Sequence, residues 1–299
     1  MLRVKSELEK KGVLLSTGFP MSHYTTMRMG PQAELVVFPR SSGELISVLE
    51  ILNALEAKWI VLGGGSNVIL GSNLDGVVIS TKKMKGVLFE GNAGVVVEAG
   101  AVLGQVIKMC LSADLIGLEF AAGIPGTVGG GVIMNAGANG GEMRDVIECV
   151  WIWHEGRETE LSRDEVGFGY RKSMLPPGSV VTKTRLRLRY GSGRDAGARV
   201  RQYLRRRAST QPIETANSGC VFKNPPEIPA GRLLEELGFK GYRIGNACFS
   251  HVHANFIVNL GGAEFSDVIR LIEEAKRAAF DRRGILLETE VKILGESRA

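Results

Sequence analysis

Two spacings of apolar residues alternate along the chain, and the switches between them lay out an α/β order. Leu45, Ile46, Val48, Leu49, Leu52 and Leu55 recur at helical spacing behind Ser41, and Glu44 stands three residues after that serine, as in a capping box. The spacing predicts an amphipathic helix. The apolar run ELVVFP precedes it and KWIVLGGGSNV follows, an order of strand, helix, strand and glycine loop. GVVIS, GVLFEG and GVVVEAG then read as short β-branched strands separated by turns such as Gly91-Asn92. A helix over about 102–113 leads into the glycine-rich stretch GIPGTVGGGVIMNAGANGG, CVWIWHEGRETELS predicts a hairpin, and VVTKTRLRLRY alternates as a half-exposed strand does. GSGRDAGAR, small and polar, reads as a linker between two differently patterned halves. Beyond it the pattern predicts a basic helix over 200–208 and a short helix at GRLLEEL ended by Gly238. A strand at NFIVNL, a long helix over 266–283 closed by Gly284, and a last strand at ILLETEVKILG complete it.

Composition narrows the class. The opening MLRVKSELEKKG mixes charged and apolar residues with no apolar core segment, so it does not read as a secretory signal. No apolar run approaches the roughly 18 residues that span a bilayer. The expectation is a soluble, cytoplasmic protein without membrane insertion. Cys110, Cys149, Cys220 and Cys248 lie far apart, without the spacing of a zinc site or the density of a disulfide scaffold, which fits a reducing compartment. A net charge of +5 favours acidic partners, either nucleic acid or small phosphorylated ligands. Glycine separates the two: 39 of 299 residues is nearly twice the usual share of about 7%, and the excess clusters in two loops.

The first loop runs Gly63, Gly64, Gly65, Ser66, Asn67, Val68. Three glycines leave N–H groups unshielded after a strand, which suits a pyrophosphate. The loop lacks the Lys-Ser/Thr ending of a P-loop and the spacing of GxGxxG, and Val68 stands where a nucleophile elbow needs glycine. A tight strand-end turn explains it equally well. The second stretch, from Gly123 to Gly141, shifts the balance. Gly123, Ile124 and Pro125 lead into Gly126, Thr127, Gly129 and Gly130, where bare backbone and a hydroxyl allow close approach to a ligand. Two anion cradles in one α/β region fit an extended dinucleotide.

Seven segments carry a more specific signal: TTMRMG, GGGSNV, GIPGTVGG with MNAGANGG, FGYRKS, NSGCVFKNP, HANFIVN and LETEVKILG. In order and spacing, from Thr25 to Gly295, they resemble the UDP-N-acetylenolpyruvoylglucosamine reductase family, flavoenzymes of bacterial cell-wall precursor synthesis. The short interval from Cys220 to Glu290 resembles the compact second type. The resemblance implies an α+β (mixed α/β) fold: a two-subdomain FAD-binding region of the PCMH/vanillyl-alcohol-oxidase type over 1–190, split near 78, then an α+β substrate domain over 191–299. The last strand is expected to return to the first subdomain. It implies FAD as cofactor, NADPH as co-substrate and a UDP-linked sugar as substrate.

The implied reaction delivers hydride to an enol ether, which is electron-rich, so charge must be drawn into the conjugated carboxylate and a proton supplied to the neighbouring carbon. Arg171, in FGYRKS, matches the family's active-site arginine, and its planar fork suits a carboxylate; otherwise it is a surface arginine. Glu290 matches the catalytic glutamate, a donor when protonated. Cys220 stands where many relatives carry serine as proton donor, and a thiol with an ordinary pKa near 8.5 is a usable acid; the plainer reading is a small buried hydrophobe. Tyr170, Lys223 and Asn224 are expected to face the nucleotide sugar. His251 and His253, two apart, raise a metal site, but no carboxylate or cysteine accompanies them and none is assigned. Arg199, Arg201, Arg205, Arg206 and Arg207 read as a solvated helix face able to attract a diphosphate. Two rivals stand: another FAD oxidoreductase of the same fold, and a basic nucleic-acid-binding protein using those arginines.

Overall fold

Parallel strand pairing organises the N-terminal part of this computed structural model, which describes residues 1–295. Gln32–Val37 pairs with Val77–Ser80, and that strand with Trp59–Leu62, both in parallel, while Leu15–Pro20 closes the sheet beyond Gln32–Val37. Helix α1 (Leu2–Lys10) contributes Val4 and Leu8 to the core, one turn apart on an otherwise charged helix. Helix α2 (Ser42–Ala54) buries Leu45, Val48, Leu49 and Leu52, the stripe its spacing predicts. Only half of the expected capping box forms. Ser41 Oγ accepts the Glu44 N–H at 3.2 Å, but the Glu44 carboxylate reaches past Ser41 to the Arg40 N–H at 2.6 Å and the Arg40 guanidinium.

A five-stranded antiparallel sheet follows, in the order Arg157–Ser162, Ile147–His154, Val180–Arg187, Gly94–Glu98, Val87–Phe89. Its tight turns are marked by left-handed residues, Asn92 and Ala93 in one and Glu155 and Gly156 in the other. The first turn therefore centres one residue later than Gly91-Asn92. Helices α3 (Leu103–Ser112), α4 (Val128–Ile133) and α5 (Arg163–Val166) pack on this core.

The expected linker is helical: α6 runs Gly193–Thr210, seven residues earlier than the basic run suggests. Gly193 is small for contact, not flexibility, because a Cβ there would lie 2.0 Å from the Leu111 carbonyl oxygen. Its N–H also donates to Asp114 Oδ1 at 3.0 Å, and Ser192 Oγ accepts the Asp195 N–H at 3.2 Å, so the first turn is held by partners that a linker would lack.

The chain divides into two units, the first of residues 1–19, 34–64 and 76–205 and the second of 20–33, 65–75 and the described residues from 206 on. Each unit has its own apolar core. The second carries an antiparallel sheet in the order Ala216–Cys220, Phe256–Asn259, Ala247–Phe249, Arg243–Ile244, with helices α7 (Ala230–Glu236) and α8 (Phe265–Arg283). Helix α8 buries Val268, Leu271, Ile272, Ala275 and Ala279 and stops at Gly284, φ +67°, as its pattern predicts. Of ILLETEVKILG only Lys292–Leu294 is ladder strand, and it runs parallel to Val68–Leu70. No helix among the described residues is long and apolar enough to cross a membrane.

Candidate active site

In the first unit the strand Trp59–Leu62 ends in Gly63 and Gly64, and both lean on the second glycine stretch. A Cβ on Gly63 would lie 2.5 Å from Thr127 Oγ1, and one on Gly64 would lie 2.8 Å from Gly126 Cα. Only glycine lets Gly64 meet the Gly126 backbone and Gly63 the Thr127 hydroxyl this closely. Thr127, buried, caps α4 by accepting the Gly130 N–H at 3.4 Å. Gly129 is small for the same reason as Gly63: its Cβ would lie 2.8 Å from that of Ala99. Gly123 and Gly126 are held at φ +78° and +129°, which disfavour a side chain. Ile124 packs against the core. Gly130 differs from all of these, since it is exposed and a Cβ there would meet only Thr127 Oγ1, at 3.6 Å.

Arg171 also belongs to this unit. It sits at φ +54° at the tip of a two-residue hairpin closed by hydrogen bonds between Gly169 and Lys172 in both directions, 2.9 and 3.3 Å. Left-handed backbone is uncommon for a long side chain. Its Nη2 donates to the Gly137 carbonyl at 2.8 Å, and its guanidinium lies 5.1 Å from the ring centre of half-exposed Tyr170. The structure thus brings Arg171 and Tyr170 against the MNAGANGG segment. Asn135 makes the connection, with the amide donating to the Gly169 carbonyl at 3.0 Å. Sequence reasoning passed over this asparagine.

The second unit holds the rest of the first glycine loop and the two other residues expected from the sequence to be catalytic. Gly65, at φ +72°, would bring a Cβ within 2.9 Å of the Tyr24 carbonyl oxygen. Asn67 donates from Nδ2 to the Glu290 carbonyl at 3.2 Å and accepts the Lys292 N–H at 3.0 Å, while Val68 opens the strand beside Lys292–Leu294. Ser66 to Val68 is therefore tied to the segment that carries Glu290. Cys220 ends the strand Ala216–Cys220, half-buried, just after Gly219 at φ +82°. Its neighbour Val221 accepts the Glu290 N–H at 2.8 Å and donates to the Asn255 carbonyl at 2.8 Å, so Cys220 and Glu290 lie on adjoining backbone.

Arg207, of the arginine cluster, lies in this neighbourhood. Burial pushes its guanidinium pKa down, and the charge of a Cys220 thiolate pushes it back up. Arg199, in the first unit, pairs with buried Glu119 at 2.7 Å. Neither belongs to a uniformly solvated face.

Two expected substrate contacts are already engaged within the fold. Lys223 Nζ pairs with Glu288 at 2.9 Å, and Asn224 Oδ1 accepts the Ala230 N–H at 3.0 Å, at the start of α7. His251 and His253 lie between strands, not on one. His253 Nδ1 accepts the Asn255 N–H at 3.2 Å, and burial lowers its pKa.

Two family models match the chain: "FAD binding domain" over residues 33–153 and "UDP-N-acetylenolpyruvoylglucosamine reductase, C-terminal domain" over 211–294. The UDP-N-acetylenolpyruvoylglucosamine reductase of Caldicellulosiruptor saccharolyticus is 37% identical, covering 99% of this chain and 96% of its own length. The crystal structure of the Thermus caldophilus UDP-N-acetylenolpyruvylglucosamine reductase superposes with TM-score 0.80 at 37% identity, covering 94% of this chain and 98% of that one. A berberine bridge enzyme shares the fold alone, with TM-score 0.50 at 17% identity over 62% of this chain and 43% of that one.

Proposed function

Because this chain belongs to the UDP-N-acetylenolpyruvoylglucosamine reductase family, we propose that Arg171, Cys220 and Glu290 carry that family's reaction. It is an FAD-dependent reductase that converts UDP-N-acetylglucosamine enolpyruvate to UDP-N-acetylmuramate in peptidoglycan precursor synthesis, with NADPH as reductant.

The residues present fit the cofactor. Gly64 meets Gly126 backbone to backbone and Gly63 lies against the Thr127 hydroxyl, which leaves turns of bare amide, and a diphosphate is bound by N–H groups of this kind. We assign Gly63, Gly64, Gly65, Ser66, Asn67, Val68, Gly123, Ile124, Gly126, Thr127, Gly129 and Gly130 to holding FAD. FAD, when bound, carries hydride from NADPH to the enolpyruvyl group.

The chain's own residues do the rest. Arg171 pairs with the substrate carboxylate, whose charge grows as hydride arrives; a planar, always charged fork stabilises that charge without reorganising. Glu290, protonated, donates a hydrogen bond to the same developing enediolate. Cys220 gives its proton to the adjacent carbon and is left as thiolate. Tyr170, Lys223 and Asn224 orient the UDP-sugar. Since Lys223 already pairs with Glu288, that lysine must exchange or share its partner to do so. The reaction takes place in the cytoplasm, which the four free cysteines support, and has no nucleic acid as partner.

The observation that carries this assignment is Arg171 itself. A solvated arginine needs neither a left-handed backbone nor a side-chain bond to a glycine-rich segment. Absorbance is the test: purified protein is expected to be yellow, to bleach with NADPH, and to recover colour when the enolpyruvyl substrate is added. Colourless protein that rebinds no FAD would overturn the reading, and recovery at wild-type rate in Arg171→Lys would remove Arg171 from it.

A further inference from the structure

Asn135 has no part in the chemistry above, yet it is buried completely at the centre of three segments. Its Oδ1 accepts the Arg144 N–H at 3.0 Å, its Nδ2 donates to the Gly169 carbonyl at 3.0 Å, and its own N–H donates to the Val132 carbonyl at 3.1 Å. Its φ of +40° is left-handed, where asparagine is among the few side chains tolerated. The residue thus meets two demands at once, an unusual backbone and a buried amide with both ends engaged. That combination excludes most replacements.

What the amide holds is the base of the hairpin whose tip is Arg171. The Gly169 carbonyl accepts two hydrogen bonds, one from Lys172 N–H within the hairpin and one from Asn135. Two residues beyond Asn135, the Gly137 carbonyl accepts the Arg171 guanidinium at 2.8 Å. Two residues before Asn135, the Ile133 carbonyl accepts both the N–H and the hydroxyl of Ser173, at 3.0 and 3.1 Å. Segment 133–137 therefore grips the hairpin at its base, its tip and its outgoing end. Only the grip at the base comes from a buried side chain.

We propose that Asn135 is a positioning residue for the reductive step, fixing the Gly169–Lys172 hairpin so that the Arg171 guanidinium is aimed at the substrate carboxylate. The inference rests on the role given to Arg171 and extends it to the residue that holds the aim. A tether of this kind acts only through the side chain it positions. Removing it lets the hairpin shift, and a displacement of about 1 Å can cost roughly 100-fold in rate. Once Arg171 is already impaired, little is left for the tether to contribute.

The test is a double-mutant cycle on the full-length, FAD-loaded protein, read by rapid mixing. Asn135→Gly tolerates the left-handed backbone and deletes both side-chain bonds. Bleaching by NADPH is expected to stay within about 2-fold of wild type, while reoxidation by the enolpyruvyl substrate slows roughly 10- to 100-fold, as it does in Arg171→Lys. The double variant is expected to be no slower than about 2-fold below Arg171→Lys alone. Multiplied losses in the double variant, or wild-type reoxidation in Asn135→Gly, would overturn the tether. Should Asn135→Gly not retain flavin, Asn135→Asp goes through the same cycle: it keeps the acceptor for Arg144 and, as a carboxylate, has no N–H for Gly169. Wild-type reoxidation in Arg171→Lys alone would show instead that the role of Arg171 had failed, and the proposal with it.

Discussion

Each unit of this molecule uses one buried asparagine to fix a segment beside a residue proposed to react, and the two do it differently. Asn255 spends both ends of its amide on a single residue: Oδ1 accepts the Phe222 N–H at 2.9 Å and Nδ2 donates to the Phe222 carbonyl at 2.8 Å, two positions after Cys220. Phe222 is itself fully buried, so this clamp is part of the second unit's core. Asn135 divides its amide between Arg144 and Gly169, and the hairpin it holds carries exposed side chains, Tyr170 and Lys172. The clamp at Asn255 does what another strand would do, satisfying a buried N–H and C=O together. The tether at Asn135 aims a side chain that the core does not reach. Stability and aim are thus assigned to different asparagines, and substitution can separate them.

The largest effect is expected at Cys220, which the clamp leaves half-buried. In Cys220→Ala, NADPH should bleach the flavin at near-normal rate, because no proton to the substrate carbon is needed for that step. Reoxidation by the enolpyruvyl substrate should slow by roughly 10²- to 10⁴-fold, about 2.7 to 5.5 kcal/mol, the usual contribution of a positioned acid. Cys220→Ser should recover much of the loss, since a hydroxyl has similar reach. Unchanged reoxidation in the alanine variant would make Cys220 a packing residue and leave the clamp with nothing reactive beside it.

Next comes the clamp. Asn255→Ala strands a buried N–H and a buried carbonyl on Phe222, at about 1–3 kcal/mol each, so urea unfolding should show a loss of about 2 to 6 kcal/mol. Asn135→Gly should cost less in the same experiment, because the Gly169 carbonyl keeps its bond from Lys172 and the left-handed backbone suits glycine. Equal losses in the two variants would erase the distinction between clamp and tether.

Neither asparagine was legible in the sequence as a support, although both lie in segments that identified the family. The residues they hold beside the site, Gly169 and Phe222, are 34 and 33 residues away, and no local pattern points across that distance. What was legible is local: the helix over 266–283 with its glycine stop, the buried stripe of α2, and the hairpin turned by Glu155 and Gly156. Helix α1 was missed because only Val4 and Leu8 of its nine residues are buried, too few for a period to stand out among charges. The linker reading of 191–199 failed for a different reason. Composition does not separate a glycine that is small for flexibility from one that is small because Leu111 lies against it. The residues proposed to react, Arg171, Cys220 and Glu290, are singled out by motif, whereas the hydrogen bonds that place them depend on tertiary structure.

The smallest expected effect sharpens the first unit's side of the comparison, at the helix that leads into Asn135. Helix α4 carries three glycines in six residues, and the two glycines of it that the sequence assigns to the cofactor have different justifications. Gly129 abuts Ala99, so packing within the protein explains it. Gly130 has no such cause: it is exposed, its φ is not left-handed, and a Cβ would make only an ordinary contact with Thr127 Oγ1. An alanine there would favour the helix by up to about 1 kcal/mol, so a glycine whose missing side chain no contact within the protein requires points to a partner outside it. Gly130→Ala should therefore melt slightly higher than wild type without flavin yet bind FAD roughly 10-fold more weakly, about 1.4 kcal/mol. Titration of flavin fluorescence into apoprotein measures the second quantity and a thermal scan the first. Because the helix is kept, reoxidation by substrate in the flavin-loaded variant should match wild type, with Asn135 and Arg171 still in place. Undiminished FAD affinity would make Gly130 an incidental glycine, and slowed reoxidation would mean that α4 itself helps to set the aim of Arg171.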